Sequence, residues 1–221
     1  MTLLELIDNF RCFAASQLKL YYEYNILRPF IAGLACGKFI ILQGISVTGK
    51  TSLAYAFGKF VENTSTVVPI QPMWKERTDL IGYYNEFTKS FNVTKLLEKM
   101  YEANYSRDMY ITVLDEMNIA RVEYYFAEML SILEMPLQEE WKIEITSAVW
   151  DNDPCLIEGG SVKIPNNVWF VGTINNDDST FAVADKVYDR AIPIDLDSRA
   201  DAFTCDPVDP IYISTDHLNH L

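Results

Sequence analysis

The chain has 221 residues, 49% of them hydrophobic, so it can bury one sizeable core and has little room for a second full domain. Its formal net charge is −13, and the 31 acidic residues are spread along the chain rather than gathered in one tail. Such a surface repels phosphate backbones, and because the sequence shows no local basic patch, we expect no direct nucleic-acid binding.

The first 33 residues predict a helical segment ahead of the main domain. Apolar side chains recur at spacings of three and four from Leu3 to Phe13, and Pro29 interrupts the pattern, which predicts one or two helices packed on the core. The segment has no basic stretch followed by a small-residue cleavage site, and no apolar run in the chain is long enough to span a bilayer. We therefore expect a cytoplasmic protein without a membrane partner.

Five apolar runs alternate with helical patterns through the rest of the chain. Near-continuous Val, Ile and Leu runs separated by helices are typical of a parallel sheet that is covered on both faces. The predicted fold class is α/β, a three-layer αβα sandwich around a parallel five-stranded sheet. The predicted strands are 38–44, 66–72, 109–117, 168–175 and 191–196.

Residues 136–166 interrupt this alternation between the third and fourth strands. An apolar residue stands at every second position from Trp141 to Ile145, and the pair Gly159 and Gly160 follows later in the segment. Alternation with a period of two, together with a glycine pair, is typical of antiparallel strands joined by a tight turn. We therefore expect a β-hairpin insertion before the fourth strand.

The stretch GISVTGKTS, residues 44–52, fits the pattern GxxxxGK[ST] and lies between a predicted strand and a predicted helix, the context that a phosphate-binding P-loop needs. Glycines let backbone N–H groups approach a phosphate chain, and the helix N-terminus adds its dipole. Lys50, which we expect to face solvent without ligand, neutralises phosphate charge, and Thr51 offers its hydroxyl to Mg²⁺. The alternative is a plain glycine-rich turn. The predicted nucleotide-binding residues are Gly44, Ile45, Ser46, Val47, Thr48, Gly49, Lys50, Thr51 and Ser52.

Two adjacent carboxylates, Asp115 and Glu116, end the third predicted strand. Open α/β sheets bind ligands at the carboxyl ends of their strands, and a strand buried on both faces has no structural use for paired acids there. We predict that Asp115 holds Mg²⁺, directly or through its water, and that Glu116 orients or deprotonates the water that attacks the γ-phosphate. Taken singly, either acid also fits a helix N-cap.

Four segments with a common order carry a family resemblance. They are GISVTGKTS (44–52), VLDEMNIARVEYYFAEMLSILE (113–134), VWFVGTINNDD (168–178) and ADKVYDRAIPIDL (184–196). In this order they resemble the AAA+ superfamily of P-loop nucleoside-triphosphatases, and most of all its branch with the methylcytosine-restriction GTPase McrB and the MoxR-type ATPases. The resemblance implies an AAA+ nucleotide-binding core over 34–197, which is most of the chain.

The resemblance implies roles for two further residues. Asn175, in GTIN, is similar to the sensor-1 residue at the tip of the fourth strand, which contacts the γ-phosphate or the attacking water. Arg190 falls where the family carries an arginine finger that acts on the nucleotide of a neighbouring subunit. Considered without the resemblance, Asn175 also fits a turn asparagine, and Arg190, which follows Asp189, also fits a local ion pair.

The resemblance further implies Mg²⁺-dependent hydrolysis of ATP or GTP at subunit interfaces, which drives the remodelling of a partner. The assembly it implies is a homo-oligomeric ring, such as a hexamer, or a hetero-oligomer with an effector or nuclease subunit, as in a McrB-like restriction or antiphage system. The alternative is a nucleotide-gated assembly module with little intrinsic turnover, whose catalysis a partner chain completes. The sequence does not decide between ATP and GTP.

The sequence departs from the family pattern at two places. Val47 occupies a position where relatives usually have glycine, and a β-branched residue resists a positive φ, so we expect a loop of different shape or weaker nucleotide binding. The C-terminal tail, 198–221, leaves no room for the helical lid that usually supplies a sensor-2 arginine. We expect either a fragment of a longer protein or a reduced AAA+ module.

Overall fold

The computed structural model describes residues 1–85, 87–147, 153–177 and 179–219. Within these residues the strands are β1 (Phe39–Gly44), β2 (Thr66–Pro69), β3 (Gly82–Asn85), β4 (Ser90–Val93), β5 (Tyr110–Asp115), β6 (Lys142–Glu144), β7 (Ile157–Glu158), β8 (Ser161–Lys163), β9 (Val168–Asn175) and β10 (Ile192–Asp195). The α-helices are α1 (Leu3–Leu18), α2 (Tyr24–Cys36), α3 (Lys50–Phe60), α4 (Arg77–Ile81), α5 (Lys95–Ala103), α6 (Val122–Tyr125), α7 (Ala127–Leu133), α8 (Asp185–Tyr188) and α9 (Thr215–Asn219). In this described part of the chain, no helix is both long and apolar enough to cross a membrane.

Five strands form one parallel sheet in the order β10-β1-β9-β5-β2. Each of them lies within one of the five predicted runs. The third run ends two residues earlier than predicted, because Glu116 adopts a left-handed conformation with a φ of 52° and begins a 3-10 turn over Met117–Ile119. The predicted α/β fold class, a parallel five-stranded sheet between two layers of helices, is confirmed.

Helices cover both faces of the sheet, and the residues of a strand alternate between them. In β1, Ile40 and Leu42 pack into one core, whereas Phe39 and Ile41 pack into the other. The first core lies under α1, α2 and α3, and the second under α5, α6 and α7. The continuous apolar run of β1 is therefore explained by burial on both sides.

The predicted N-terminal helical segment consists of α1 and α2. A capping box starts α1, because the side chains of Thr2 and Glu5 each accept a hydrogen bond from the backbone N–H of the other. Pro29 lies inside α2 and does not interrupt it. The break between the helices follows Lys19 instead, which caps α1 in a left-handed conformation with a φ of 56°. Because α1 packs against α3, the segment lies directly behind the P-loop helix.

Two small antiparallel sheets accompany the main one. β3 and β4 form a hairpin between β2 and α5, which the sequence analysis did not predict. The predicted insertion contains three paired strands rather than two, in the order β6-β8-β7. Its tight turn requires Gly160, where a Cβ would lie 2.0 Å from the carbonyl oxygen of Thr146. Residues 148–152 of the insertion lie outside the described residues.

The C-terminal tail returns from β10 across the helical layer of α1 and α3. The ring of Phe203 meets that of Tyr21 edge-on, and the backbone N–H of Ile211 donates to the carbonyl oxygen of Phe60 at 2.8 Å. Ile213 and Leu218 are buried in the first core. Among the described residues of this tail, α9 is the only helix, so the segment is held by side-chain packing and by a few backbone hydrogen bonds.

Candidate nucleotide-binding site

The P-loop connects β1 to α3 at the carboxyl edge of the sheet. Its backbone takes a positive φ at Gly44 (145°), Val47 (70°) and Gly49 (93°). A Cβ at Gly44 would lie 2.3 Å from the carbonyl oxygen of Leu196, and Gly49 occupies the left-handed N-cap position of α3. Both glycines of the pattern therefore stand where the backbone requires glycine.

Val47 adopts the conformation that the sequence analysis expected it to resist. A β-branched residue held at a φ of 70° is strained by about 1–3 kcal/mol. Its side chain is 75% exposed, so burial does not offset the strain. Its carbonyl oxygen accepts a hydrogen bond from Nε of Arg199 at 2.6 Å. The loop thus keeps a positive φ at this position although glycine is missing.

Lys50 is 5% exposed, so the expectation that it faces solvent is wrong. Its Nζ donates to the carbonyl oxygens of Ile45 at 2.6 Å and Gly44 at 3.2 Å, and lies 3.4 Å from Oγ1 of Thr48. Burial lowers the pKa of the Lys50 ammonium, while nearby carboxylates oppose that shift. The carbonyl groups of the loop therefore hold the Lys50 ammonium in place.

Asp115 contacts both the P-loop helix and the neighbouring strand. Its Oδ1 accepts hydrogen bonds from the hydroxyls of Thr51 at 2.5 Å and Thr173 at 3.0 Å. The hydroxyl of Thr173 in turn accepts a bond from the backbone N–H of Glu116 at 2.8 Å. The Asp115 side chain thus joins α3, β5 and β9 and does not serve as a helix N-cap.

Glu116 and Asn175 meet across the carboxyl ends of β5 and β9. Nδ2 of Asn175 donates to Oε1 of Glu116 at 3.1 Å. Glu116 precedes the 3-10 turn, but its side chain makes no capping hydrogen bond. The amide of Asn175 therefore faces a second candidate catalytic group, and Glu116 stands at the N-cap position of the turn without using its side chain as a cap.

The 3-10 turn after Glu116 packs directly on β9. Asn118 is buried, and its amide donates to the carbonyl oxygen of Asn175 at 3.0 Å while its Oδ1 lies 3.4 Å from the Asn175 backbone nitrogen. A Cβ at Gly172 would lie 2.1 Å from the sulfur of Met117, so glycine permits the turn to approach the strand. Packing of this turn fixes the position of Glu116 relative to Asn175.

The side chains of Lys50, Thr51, Asp115, Glu116 and Asn175 line one cleft of about 360 Å³. Asp115 and Glu116 provide negative charge in it, and Lys50 and Arg199 provide positive charge. Gly44 and Ile45 are not among the lining residues, although their carbonyl groups bind Lys50. The lining residues are Ser46, Val47, Thr48, Gly49, Lys50, Thr51, Ser52, Asp115, Glu116, Thr173, Asn175 and Arg199.

Two residues of the cleft were missed by the sequence analysis. Thr173 lies inside β9, where threonine is an ordinary strand former, so only its contact with Asp115 reveals its role. Arg199 belongs to the irregular tail and reaches the P-loop because the tail folds back over it. The sequence did contain one indication of Arg199: it follows β10, the fifth predicted strand, by a few residues, and the carboxyl end of β10 lies beside β1, which leads into the P-loop.

The donors in the cleft suit Mg²⁺. This ion takes oxygen ligands in an octahedral shell and is usually held by one or two protein groups beside phosphates and water. The Thr51 hydroxyl and the Asp115 carboxylate are in direct contact and would hold it. Over the described ranges there is no group of three or more His, Cys, Asp and Glu side chains that could hold a metal ion. One hydroxyl and one carboxylate fit a Mg²⁺ ion whose remaining ligands would be phosphate and water oxygens.

Arg190 does not join this cleft. It precedes β10 at the amino edge of the sheet, where its Nε lies 2.6 Å from Oε1 of Glu134 and its Nη1 donates to the carbonyl oxygen of Lys186 at 2.8 Å. It lines a separate cavity together with Phe39, at the start of β1. Arg190 thus forms a local ion pair, with Glu134 rather than Asp189. Any action on a nucleotide would concern a neighbouring subunit.

No protein-family model matches the chain, and no curated protein matches it either. Among solved structures, the chain is similar to the crystal structure of a "putative ATPase" from Cytophaga hutchinsonii, with 17% identity and a TM-score of 0.48. The alignment covers 87% of this chain and 49% of that chain, so this chain spans about half of its length. The class of protein follows from the parallel sheet and the loop between β1 and α3, which define a P-loop NTPase-like fold.

Proposed function

We propose that this chain is a Mg²⁺-dependent nucleoside-triphosphatase of the AAA+ type. The proposal rests chiefly on the meeting of two candidate pairs at one sheet edge: Thr51 with Asp115 at 2.5 Å, and Glu116 with Asn175 at 3.1 Å. A plain glycine-rich turn requires neither pair. All four side chains belong to one cleft together with Lys50, the combination that phosphoryl transfer to water needs.

In the proposed reaction, the backbone N–H groups of the P-loop and the Lys50 ammonium bind the β- and γ-phosphates of ATP or GTP. Thr51 and Asp115 would hold Mg²⁺, which supplies neutralisation of the phosphate charge when bound. Glu116, oriented by Asn175, positions a water and accepts its proton. The water oxygen bonds to the γ-phosphorus as the bond to the bridging oxygen breaks, which releases a nucleoside diphosphate and inorganic phosphate.

For the finer assignment, we propose the branch of McrB-like and MoxR-like AAA+ proteins. It is supported by the order of the four sequence segments and by the β-structured insertion before β9. On this assignment the chain works in the cytoplasm as a homo-oligomeric ring, or with an effector or nuclease subunit, and Arg190 acts on the nucleotide of a neighbour. A McrB-like restriction or antiphage system is the context proposed for its remodelling activity.

A nucleotide-gated assembly module with little intrinsic turnover is the second candidate function. It is favoured by the ion pair of Arg190 with Glu134, which keeps the candidate finger at the other edge of the sheet. Val47 also favours it, because a β-branched residue destabilises the positive φ that the P-loop adopts there. Such a module binds nucleotide and leaves hydrolysis to a partner chain.

The test compares ATP and GTP side by side in thermal unfolding, each with Mg²⁺ and with EDTA, followed by measurement of phosphate release. A ligand that binds only the native state raises the midpoint of unfolding, so we expect a rise with at least one nucleotide that is larger with Mg²⁺. Phosphate release that grows steeply with protein concentration supports the hydrolase. Binding without release supports the assembly module, and no shift with either nucleotide contradicts both.

A further inference from the structure

The P-loop contains one strained residue, Val47, whose conformation is not stabilised by burial of its side chain. Val47 holds a φ of 70°, its Cβ is branched, and its side chain is 75% exposed. A glycine would adopt this conformation freely, whereas valine prefers to leave it. A contact from outside the loop is therefore needed to hold the peptide group after Val47 at this positive φ.

Arg199 makes the contact that meets this need. Its Nε donates to the carbonyl oxygen of Val47 at 2.6 Å, the oxygen whose direction changes if Val47 leaves the left-handed region. A hydrogen bond from a charged donor is stronger than one between neutral groups. Among the residues that the structure describes, the terminal nitrogens of Arg199 have no hydrogen-bond partner. The bond to Val47 is therefore the side-chain hydrogen bond that fixes Arg199.

The tail fixes Arg199 from its N-terminal side. The backbone N–H of Leu196 donates to the carbonyl oxygen of Gln43 at 2.7 Å, which continues the pairing of β10 with β1. The carbonyl oxygen of Leu196 also lies against Gly44, at the first position of the P-loop. Arg199 follows three residues later, so its backbone starts from a point held against the loop.

The tail also fixes Arg199 from its C-terminal side. The ring of Phe203 lies 3.7 Å from the guanidinium carbon of Arg11 and 5.4 Å from the ring of Tyr21. Nε of Arg11 donates to the carbonyl oxygen of Tyr22 at 3.1 Å, and the Tyr22 hydroxyl lies 3.4 Å from the carbonyl oxygen of Gly49. The N-terminal helices and the tail therefore meet beside the P-loop and hold each other in place.

We propose that Arg199 is a positioning residue for the P-loop: it holds the carbonyl group of Val47 and so maintains the left-handed conformation that glycine would adopt unaided. This inference rests on the proposed function, since it makes nucleotide affinity depend on Arg199. Arg199 acts through Val47 and is distinct from a residue that binds phosphate itself. In both roles, removal of Arg199 would weaken nucleotide binding. Only in the positioning role does the loss depend on valine rather than glycine at position 47.

The experiment is a double-mutant cycle of Arg199→Met and Val47→Gly, with the affinities for ATP and GTP measured calorimetrically in Mg²⁺. Methionine keeps an apolar stem and removes the donors. We expect Arg199→Met to weaken binding about tenfold when Val47 is present and at most about twofold in the Val47→Gly background. Equal losses in the two backgrounds would overturn the proposal and make Arg199 a direct phosphate ligand.

A second arm needs no nucleotide. The four proteins of the cycle are unfolded thermally without ligand, and we expect Arg199→Met to lower the midpoint more when Val47 is present than in the Val47→Gly background. This arm tests the coupling even if neither nucleotide binds, which would contradict the proposed function alone. Equal shifts in both backgrounds overturn the positioning role. Phe203→Leu, which loosens the tail outside the cleft, should weaken binding in the same direction and only when Val47 is present.

Discussion

The hydroxyl of Thr51 lies 2.5 Å from Oδ1 of Asp115 and so joins the first turn of α3 to the carboxyl end of β5. These residues are separated in the sequence by β2, α4, the hairpin of β3 and β4, and α5, yet their oxygens share one hydrogen bond. The same two oxygens are the candidate ligands for Mg²⁺. Thr51 and Asp115 would hold this ion, which would neutralise phosphate charge when bound.

Thr51→Val and Asp115→Asn should each raise the Mg²⁺ concentration that half-saturates nucleotide-dependent stabilisation, by about tenfold or more, because each removes an oxygen ligand or its charge. The measurement is a Mg²⁺ titration of the unfolding midpoint at fixed nucleotide. Asp177→Asn is the matched control, since Asp177 adds negative charge near Lys50 but does not line the cleft. An unchanged Mg²⁺ requirement in both variants would contradict the assignment.

Glu116→Gln should keep nucleotide affinity and lower the rate of a single turnover by at least about a hundredfold, because it removes the proton acceptor and preserves the shape. The amide still reaches Asn175, so the turn over Met117–Ile119 should remain in place. Rapid mixing of bound nucleotide with acid quench gives the rate. Hydrolysis at the parent rate would remove Glu116 from the mechanism and favour the assembly module.

Lys50→Met should abolish the stabilisation by nucleotide and also lower the stability of the free protein. The second effect follows from its burial: the carbonyl oxygens of Gly44 and Ile45 lose their donor, which costs about 1–3 kcal/mol. Urea unfolding without ligand measures it. Lys59→Met, on the same helix but outside the cleft, is the control. Equal stability of the Lys50 variant and the parent would show that these hydrogen bonds contribute nothing.

Arg190→Ala should lower turnover by about a thousandfold and leave the nucleotide affinity of the isolated chain unchanged, if the residue serves a neighbouring subunit. Mixing Arg190→Ala chains with Lys50→Met chains should then restore activity, because an intact P-loop borrows an intact finger. Glu134→Gln provides the comparison, since it breaks the ion pair and keeps the arginine. If both single variants only reduce stability and turnover stays at the parent level, Arg190 is a structural ion-pair residue.

Cys155 should react with iodoacetamide faster than Cys12 at neutral pH. The exposed Cys155 thiol shares hydrogen bonds with the hydroxyls of Tyr105 at 2.8 Å and Tyr101 at 3.7 Å, and these lower the pKa of Cys155, whereas burial raises the pKa of Cys12 to about 11. A lowered pKa means more thiolate at a given pH, so Tyr105→Phe should move the rate profile of Cys155 to higher pH. Peptide mapping by mass spectrometry follows both sites. A profile unmoved by Tyr105→Phe contradicts this effect.

The sheet could be predicted because each central strand is buried on both faces and shows this as an unbroken apolar run. The hairpin of β3 and β4 could not, since its residues are largely exposed and carry no alternation; Phe87, at its turn, is 99% exposed. The helix break at Lys19 was also missed. Proline usually breaks a helix, so the sequence placed the interruption at Pro29, which lies within α2.

In the candidate site, the P-loop and the acid pair were visible as patterns, but the contacts that orient them were not. Lys50 was expected in solvent because lysine is rarely buried, and only the carbonyl groups of the folded loop make burial acceptable. Thr173 and Arg199 act through contacts with residues far away in sequence. No local pattern encodes such a pairing.

The strand order also has a consequence for how the chain is made. β1, which leads into the P-loop, pairs with β9 and β10, and both are synthesised long after it. A nascent chain that has left the ribosome as far as β5 therefore has its P-loop strand without either of these neighbours. Contacts between such distant segments slow folding, because a long loop must close before they form. The cleft takes Thr173 and Asn175 from β9 and Arg199 from the residues after β10, so it is completed only after these segments have been synthesised.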